Sequence, residues 1–179
     1  MEETISSRLI YKGRIVTLRI DTVRTVNGGQ TSREIIEHAD CVAIIAIDDD
    51  DNILLVNQFR KAVESELLEI PAGGIENNEN PETAVCRELR EETGFLPRRM
   101  TPLGGFYSAP GYCSEYLHLY LATDLIPDPL NAEDTAEISL VPVPAAGIPE
   151  LIRSGRICDS KSIAGLLAYL EYRKTDPAV

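Results

Sequence analysis

No stretch of this 179-residue chain approaches the run of about 18 apolar residues that a membrane-spanning helix needs. The opening stretch, MEETISSRL, is acidic and polar, without the basic and apolar regions of a secretory signal. The expectation is a cytoplasmic protein. Cysteine is sparse. Cys41, Cys86, Cys113 and Cys158 lie far apart and form no C-x-x-C pair, which argues against a zinc site or a disulfide framework. They read as reduced thiols, buried or inert. Positive charge is also in short supply: 17 Lys and Arg stand against 29 Asp and Glu, for a net charge of −12. That argues against nucleic-acid binding, which needs a basic footprint. It also sets a problem for any phosphate-bearing substrate, since like charges repel unless a cation intervenes. Repeats and low-complexity tracts are absent. His38 and His118 fall in predicted strands without a partner motif and read as structural.

What is present reads as a folded domain, with 44% hydrophobic residues. IVTLRIDTVRTV (15–26) alternates apolar and polar residues at period two, and NGG (27–29) is a hairpin turn signal before a returning strand, TSREIIEHA. CVAIIAI, a nearly continuous apolar run, suits a buried central strand. DDDDN (48–52) reads as a solvated turn, and ILLVNQFR as the next strand. YLHLYLATDL and AEISLVPVP are further strands, IPELIRSG a short helix, and DSKSIAGLLAYLEYR a longer one. In that last helix Ile163, Leu166, Leu167 and Leu170 follow helical spacing and are expected to face the core. Strands, then a helix, then strands and helices imply an α+β, α/β/α-sandwich fold: a mixed sheet flanked by helices. Residues 1–40 read as an antiparallel strand module ahead of a domain at 41–179.

One helix breaks the rules of local stability. Asn80 is a suitable N-cap, Pro81 a suitable first residue and Gly94 a suitable stop, with Ala84, Val85 and Leu89 as a narrow apolar stripe. Within it Glu88 and Glu92 are four apart and Glu91 sits beside them. Like charges at that spacing destabilise a helix by roughly 0.2–0.5 kcal/mol per pair. They also crowd the end where the helix dipole prefers cations. Divalent cations would reverse both penalties, and Mg2+ prefers such oxygen ligands. Taken alone, the cluster reads sooner as a solvated face in which Arg87 and Arg90 pair with nearby glutamates.

The spacing separates the two readings. Gly73, Glu79, Arg87, Glu88, Leu89, Glu91, Glu92, Gly94 and Phe95 match the pattern Gly-x5-Glu-x7-Arg-Glu-U-x-Glu-Glu-x-Gly-U at every fixed position, where U is a bulky apolar residue. On these residues the chain resembles the Nudix hydrolases. The resemblance implies a Nudix fold in which the motif forms a loop, a helix and a loop, binds a divalent cation and cleaves a diphosphate linked to another moiety. Glu88 and Glu92 would be the principal metal ligands, with Glu91 assisting. Arg87 would orient the acidic cluster, with Glu79 supporting it. Gly73 would permit the loop entry and Gly94 would end the helix.

EIPAG (69–73) and the upstream NQFR (57–60) resemble the branch that cleaves ADP-ribose and other nucleoside diphosphate sugars. In that branch the carbonyl of Ala72 would complete the metal site, while Arg60 and Glu69 would line the substrate pocket. Pro110, fifteen residues after Phe95, falls near a proline of ADP-ribose-cleaving members; by itself it reads as a Pro-Gly turn. The same resemblance implies a homodimer with exchanged N-terminal strands, from which Tyr11, Arg33 or Glu34 would reach the substrate.

The function implied is Mg2+-dependent hydrolysis of ADP-ribose to AMP and ribose 5-phosphate, with Mn2+ able to substitute. The cations would neutralise the substrate and lower the pKa of bound water. The general base is expected in NAEDTAEIS (131–139), with Glu137 first, Asp134 next and Glu133 also present; Glu91 is another candidate. All three loop acids also read as solvated. Alternatives are another diphosphate substrate such as GDP-mannose or NADH, an inactive ADP-ribose-binding sensor, and a nucleoside-triphosphate hydrolase.

Overall fold

The computed structural model describes residues 1–131 and 137–175. They divide into two units: Met1–Asp40 with Tyr107–Tyr116, and Cys41–Phe106 with Leu117–Val179.

In the first unit β1 (Glu3–Lys12), β2 (Val16–Arg24) and β3 (Gln30–His38) form an antiparallel sheet in the order β1-β2-β3. The β2–β3 hairpin turns where the NGG signal places it. Gly28 takes φ +82°, and the Gly28 amide donates to the Thr25 carbonyl at 2.9 Å. β1 has no alternating pattern to announce it, because all ten of its residues are exposed and no buried face imprints period two. Asp21 on the central strand is the buried charge of this unit. Ser7 and Arg19 hydrogen-bond to it and hold its carboxyl below the usual range, and Arg19 also reaches Glu37 at 2.8 Å. Tyr107–Tyr116 is stitched to β3: the Ile36 amide donates to the Tyr112 carbonyl at 2.7 Å, and the Ser114 amide to the Ile36 carbonyl at 3.0 Å.

The second unit has the layers expected of an α/β/α sandwich. β7 (Ala72–Gly74), β4 (Cys41–Ala46), β9 (Tyr116–Pro127) and β8 (Phe95–Tyr107) form one sheet in that order, with β4 parallel to β9 and antiparallel to β7. β10 (Ser139–Pro144), β5 (Asn52–Arg60) and β6 (Ser65–Glu69) form a second, antiparallel sheet. An Ile47–Ile53 bridge links the turn after β4 to β5. Every residue of β4 is buried, and its side chains alternate between two cores. Ala43 and Ile45 join Ile53, Leu55, Leu119, Leu166 and Tyr169. Val42, Ile44 and Ala46 join Leu54, Tyr120, Ala84, Val85 and Leu89. Helix α1 (Pro81–Thr93) covers the second core, and α3 (Ser160–Thr175) covers the first, with the short α2 (Ile148–Arg153) adding Ile148.

Local signals explain both ends of α1. The Asn80 side chain accepts from the Thr83 amide at 2.8 Å, and Gly94 takes φ +80° while its amide returns to the Arg90 carbonyl. The acidic turn is an Asx turn. Asp48 accepts from the amides of Asp50 and Asn52, and Asp51 takes φ +62° and pairs with Arg173 at 2.8 Å. All four cysteines are free, and Cys158 is exposed rather than buried. No helix among the described residues is long and apolar enough to cross a membrane.

Three of the four expected residues of α3 pack inward: Leu166 is buried, and Ile163 and Leu170 lie partly buried against the same core. Leu167 is 51% exposed, while Ser162, Gly165, Leu166 and Tyr169 face inward. Gly165 sets the rotation: a Cβ there would meet Ile70 and Leu119 methyls at 3.0 Å, so the helix lies close over β9 on its glycine side. Leu166→Ala is therefore expected to cost about 2–5 kcal/mol, and Leu167→Ala to stay within about 0.5 kcal/mol of the wild type. Urea unfolding of the two variants checks this, and equal losses would contradict the assigned face.

Candidate active site

Helix α1 carries its apolar stripe inward and its glutamates at the rim. Glu88 is almost fully buried, Glu91 and Glu92 partly so, and Glu76 and Glu82 are exposed. Arg87 spans the cluster. Its guanidinium donates to Glu79 at 3.0 and 2.9 Å, to Glu88 at 2.6 Å, to Glu91 at 3.2 Å and to the Gly74 carbonyl at 2.8 Å. Only arginine offers enough fixed donors for such a fan. The Glu79 carboxylate also accepts from the Glu76 amide at 3.0 Å. These bonds, Arg87 foremost, hold the Glu79 carboxyl below its ordinary range.

The other two carboxylates are pushed the opposite way. Burial raises Glu88, against the pull of Arg87. Burial, and then the charge of Glu88, push Glu92 up to about 8, although the Ala72 amide donates to it at 3.1 Å and Arg60 and Lys161 attract it. Two carboxylates thus sit one helical turn apart in a place that disfavours their charged forms. Nearby, β7 supplies the main chain of Ala72 and Gly73.

The donor set suits a hard divalent cation: carboxylates of Glu88, Glu92 and Glu91, with the Ala72 main chain joined to the cluster through Glu92. Gly73 gives the independent test of that fit. A Cβ at Gly73 would stand 1.9 Å from Glu88 Cδ and 2.0 and 2.2 Å from its carboxylate oxygens. This glycine has no positive φ. The position needs glycine because Glu88 lies against its backbone, with no unusual dihedral involved.

A second cluster joins the first through EIPAG. Glu69, at the end of β6, is only 2% exposed. Arg60 at the end of β5 grips it with Nε at 3.1 and 3.2 Å and Nη2 at 2.5 Å. Lys161, in the first turn of α3, reaches the same carboxylate and donates to Asp159 at 3.0 Å. Asp159 in turn caps α3 by accepting from the Ser162 amide at 3.1 Å. The Ser162 hydroxyl takes the Ile70 amide at 2.8 Å, which locks the start of α3 to EIPAG. Lys161 and Asp159 are absent from the sequence-based site. They come from a segment 92 residues downstream of Glu69, and no local motif announces them.

Of the remaining expected residues, Glu137 is exposed in the turn before β10. Ser139 pairs with Asn57, so the chain enters β10 from the Arg60 end of β5. Asp134 lies outside the described residues, as does Glu133. Arg33 and Pro110 belong to the first unit. Arg33 is exposed and pairs with Glu2 at 3.2 and 2.5 Å, and Pro110 is exposed in the segment stitched to β3.

An α/β/α sandwich that gathers Glu88, Glu91 and Glu92 at one end of α1, beside the main chain of β7, has the oxygen donors a divalent-cation site requires. The NUDIX domain model matches residues 37–158, and the chain belongs to that family. Residues 2–36 match the nucleoside diphosphate sugar hydrolase N-terminal domain. Among curated relatives, an ADP-ribose pyrophosphatase of Bacillus subtilis is 33% identical over 97% of this chain and 94% of its own. An ADP-ribose pyrophosphatase of Mycobacterium tuberculosis is 38% identical over 93% of this chain and 82% of its own. The crystal structure of an ADP compounds hydrolase superposes with a TM-score of 0.91 over 99% of this chain and 97% of that one, at 24% identity, which establishes the fold. Members of the family generally depend on a divalent metal.

The space around Glu88 yields a prediction. In Gly73→Ala the new methyl displaces the buried Glu88 carboxylate from its place beside Arg87, so the thermal midpoint should fall by several degrees while the chain still folds. Affinity for Mg2+ or Mn2+, read by calorimetry, should fall about 10–100-fold. Unchanged metal affinity would separate Glu88 from metal binding.

Proposed function

We propose that this protein hydrolyses the diphosphate of ADP-ribose to AMP and ribose 5-phosphate, with Mg2+ as its cation and Mn2+ as a substitute. The observation that carries the reading is the junction of the two clusters: Glu92 hydrogen-bonds the Ala72 amide, three residues after the Glu69 that Arg60 and Lys161 hold. Relatives named ADP-ribose pyrophosphatase, alignable over nearly the whole chain, support the choice of substrate.

In this reading Glu88 and Glu92 hold the cation, with Glu91 and the Ala72 carbonyl assisting. When bound, the cation supplies charge neutralisation and Lewis-acid polarisation of the diphosphate. Arg87 keeps Glu79, Glu88 and Glu91 in a fixed array, so the carboxylates need no rearrangement to take up a cation. Arg60 offers its guanidinium to a phosphate oxygen. Water adds to one phosphorus as the P–O–P bond breaks, and its proton passes to a carboxylate base. Glu137 is the first choice for that base, since its strand enters from the Arg60 end of β5; Asp134 is the second. Pro110 and Arg33 are assigned to recognition of the substrate beyond its diphosphate.

The reading includes a homodimer with exchanged N-terminal strands, residues 1–40 serving as the dimerising module and 41–179 as the hydrolase domain. β1 supports it. Ile5, Leu9, Ile10 and Tyr11 are all exposed on a ten-residue edge strand, an arrangement that invites pairing with another chain. We also place the protein in the cytoplasm, a compartment that suits four free cysteines.

Product analysis with ADP-ribose and Mg2+ tests the chemistry. Wild type should release AMP and ribose 5-phosphate, and chelation with EDTA should abolish it. Glu92→Gln should lose at least about a hundredfold in kcat, and Glu137→Gln or Asp134→Asn at least about tenfold. No AMP from ADP-ribose, with products from GDP-mannose or NADH instead, would move the substrate; normal turnover in both loop variants would move the base. For the assembly, light scattering should give twice the 19.7 kDa chain mass, and Leu9→Glu should shift it to monomer. A monomeric wild type would reject the exchanged strands.

A further inference from the structure

Arg90 stands at the one position between Arg87 and Glu92 that the Nudix pattern leaves open. A cation in the last turn of a helix complements the dipole, which accounts for its charge. It does not account for where the side chain reaches. Arg90 Nε donates to the Asp128 carbonyl at 3.0 Å and lies 3.1 Å from the Asp128 carboxylate. The Arg90 carbonyl accepts the Leu130 amide at 3.2 Å as well as the Gly94 amide at 3.2 Å, and the Asp128 amide donates to the Gly94 carbonyl at 2.9 Å. Residues 128–130, just past the end of β9, are thus clasped to the last turn of α1.

The helix does not need this clasp to end, because Gly94 already supplies the stop. Nor does the ion pair contribute much stability. The Arg90 side chain is 27% exposed and that of Asp128 43%, and pairs so open to water add little. What the clasp fixes is the course of the chain. From Leu130 the chain runs on to Glu137 and Ser139. Ser139 pairs with Asn57, three residues before Arg60, and β10 lies against α1. The segment that bears Glu137 therefore departs from the last turn of the helix that carries Glu91 and Glu92, and it arrives beside the same helix. A carboxylate two residues outside a strand takes its position from both tethers, and a base acts well only where it is held in place.

We propose that Arg90 is a positioning residue for the carboxylate base Glu137. By clasping residues 128–130 to α1, it fixes the near end of the segment on which that base stands, relative to the cation ligands Glu88 and Glu92. Arg90 touches neither substrate nor cation in this assignment. The inference rests on the diphosphate-hydrolysis reading and deepens it.

Steady-state kinetics with ADP-ribose and Mg2+ test it. Arg90→Met should lower kcat about tenfold or more while KM changes less than about threefold, and Arg90→Lys, which keeps a cationic donor, should recover kcat to within about threefold of wild type. In a Glu137→Gln background the same Arg90→Met change should cost less than about twofold, because the group it positions is already gone. The Mg2+ affinity of Arg90→Met, read by calorimetry, should equal or exceed that of wild type, since a positive charge beside the acidic cluster has been removed. Unchanged kcat in Arg90→Met, no recovery in Arg90→Lys, or losses that multiply in the double variant overturn the assignment. So does a drop in Mg2+ affinity, which would place the effect on the cation site. Normal turnover in Glu137→Gln overturns it too and leaves the hydrolase reading standing. A second arm needs neither substrate nor turnover. Amide hydrogen exchange at Asp128 and Leu130 should be at least about tenfold faster in Arg90→Met than in wild type, with Ala84 and Leu89 in the body of α1 unchanged. Equal rates at Asp128 and Leu130 overturn the clasp. If wild type cleaves no diphosphate, the hydrolase reading fails while the exchange arm still decides the clasp.

Discussion

Three carboxylates crowd the C-terminal half of α1, and the Arg87 guanidinium is the counter-charge for two of them, Glu88 and Glu91. It bonds Glu79, Glu88 and Glu91 and the Gly74 carbonyl at once, tying the helix to the loop that precedes it. Without it, Glu88 would be a buried charge beside Glu92 with no compensation, at the helix end where the dipole favours cations. Arg87 leaves Glu92 uncovered. That carboxylate has the Ala72 amide and the more distant Arg60 and Lys161. The uneven distribution of counter-charge marks Glu88 and Glu92 as the place where a cation gains most.

Everything else in the second unit serves to hold that helix and its loop in place. β4 buries alternate residues in two cores, so α1 and α3 are clamped to opposite faces of the same strand. EIPAG is held from both sides. The Ile44 amide donates to the Pro71 carbonyl at 2.9 Å, and the Ile70 amide donates to the Ser162 hydroxyl at the start of α3. The consequence is a rigid two-part site, in which the carboxylates stand on α1 and the Arg60–Glu69–Lys161 cluster gathers the ends of β5 and β6 and the first turn of α3. Rigidity of this kind suits chemistry that depends on fixed charge more than on moving parts.

Sequence reading reached different depths in different places. The hairpin at Asn27–Gly29, the Asn80 cap and the Gly94 stop were legible because each depends on a few neighbouring residues and a single dihedral preference. The strand β1 was not, since a strand exposed along its length has no buried face to shape its composition. The face of α3 was misread at Leu167, because an apolar residue at the right spacing fits a stripe on either side of Leu166. Packing at Gly165, where Ile70 and Leu119 methyls would stand 3.0 Å from a Cβ, settles the rotation. The need for Gly73 was visible, but its reason was not: it is set by Glu88, fifteen residues later.

By itself the sequence determined the class of chemistry. Glu79, Arg87, Glu88, Glu91 and Glu92 lie within fourteen residues, so helical periodicity alone brings most of them to one neighbourhood. Only the tertiary structure decided the company they keep. Glu69 finds Arg60 nine residues away and Lys161 ninety-two away, and no local rule relates the end of β6 to the start of a helix near the C-terminus. That pairing exists because a buried carboxylate must be neutralised where the fold puts it, and the fold is settled by cores that the charged residues do not enter.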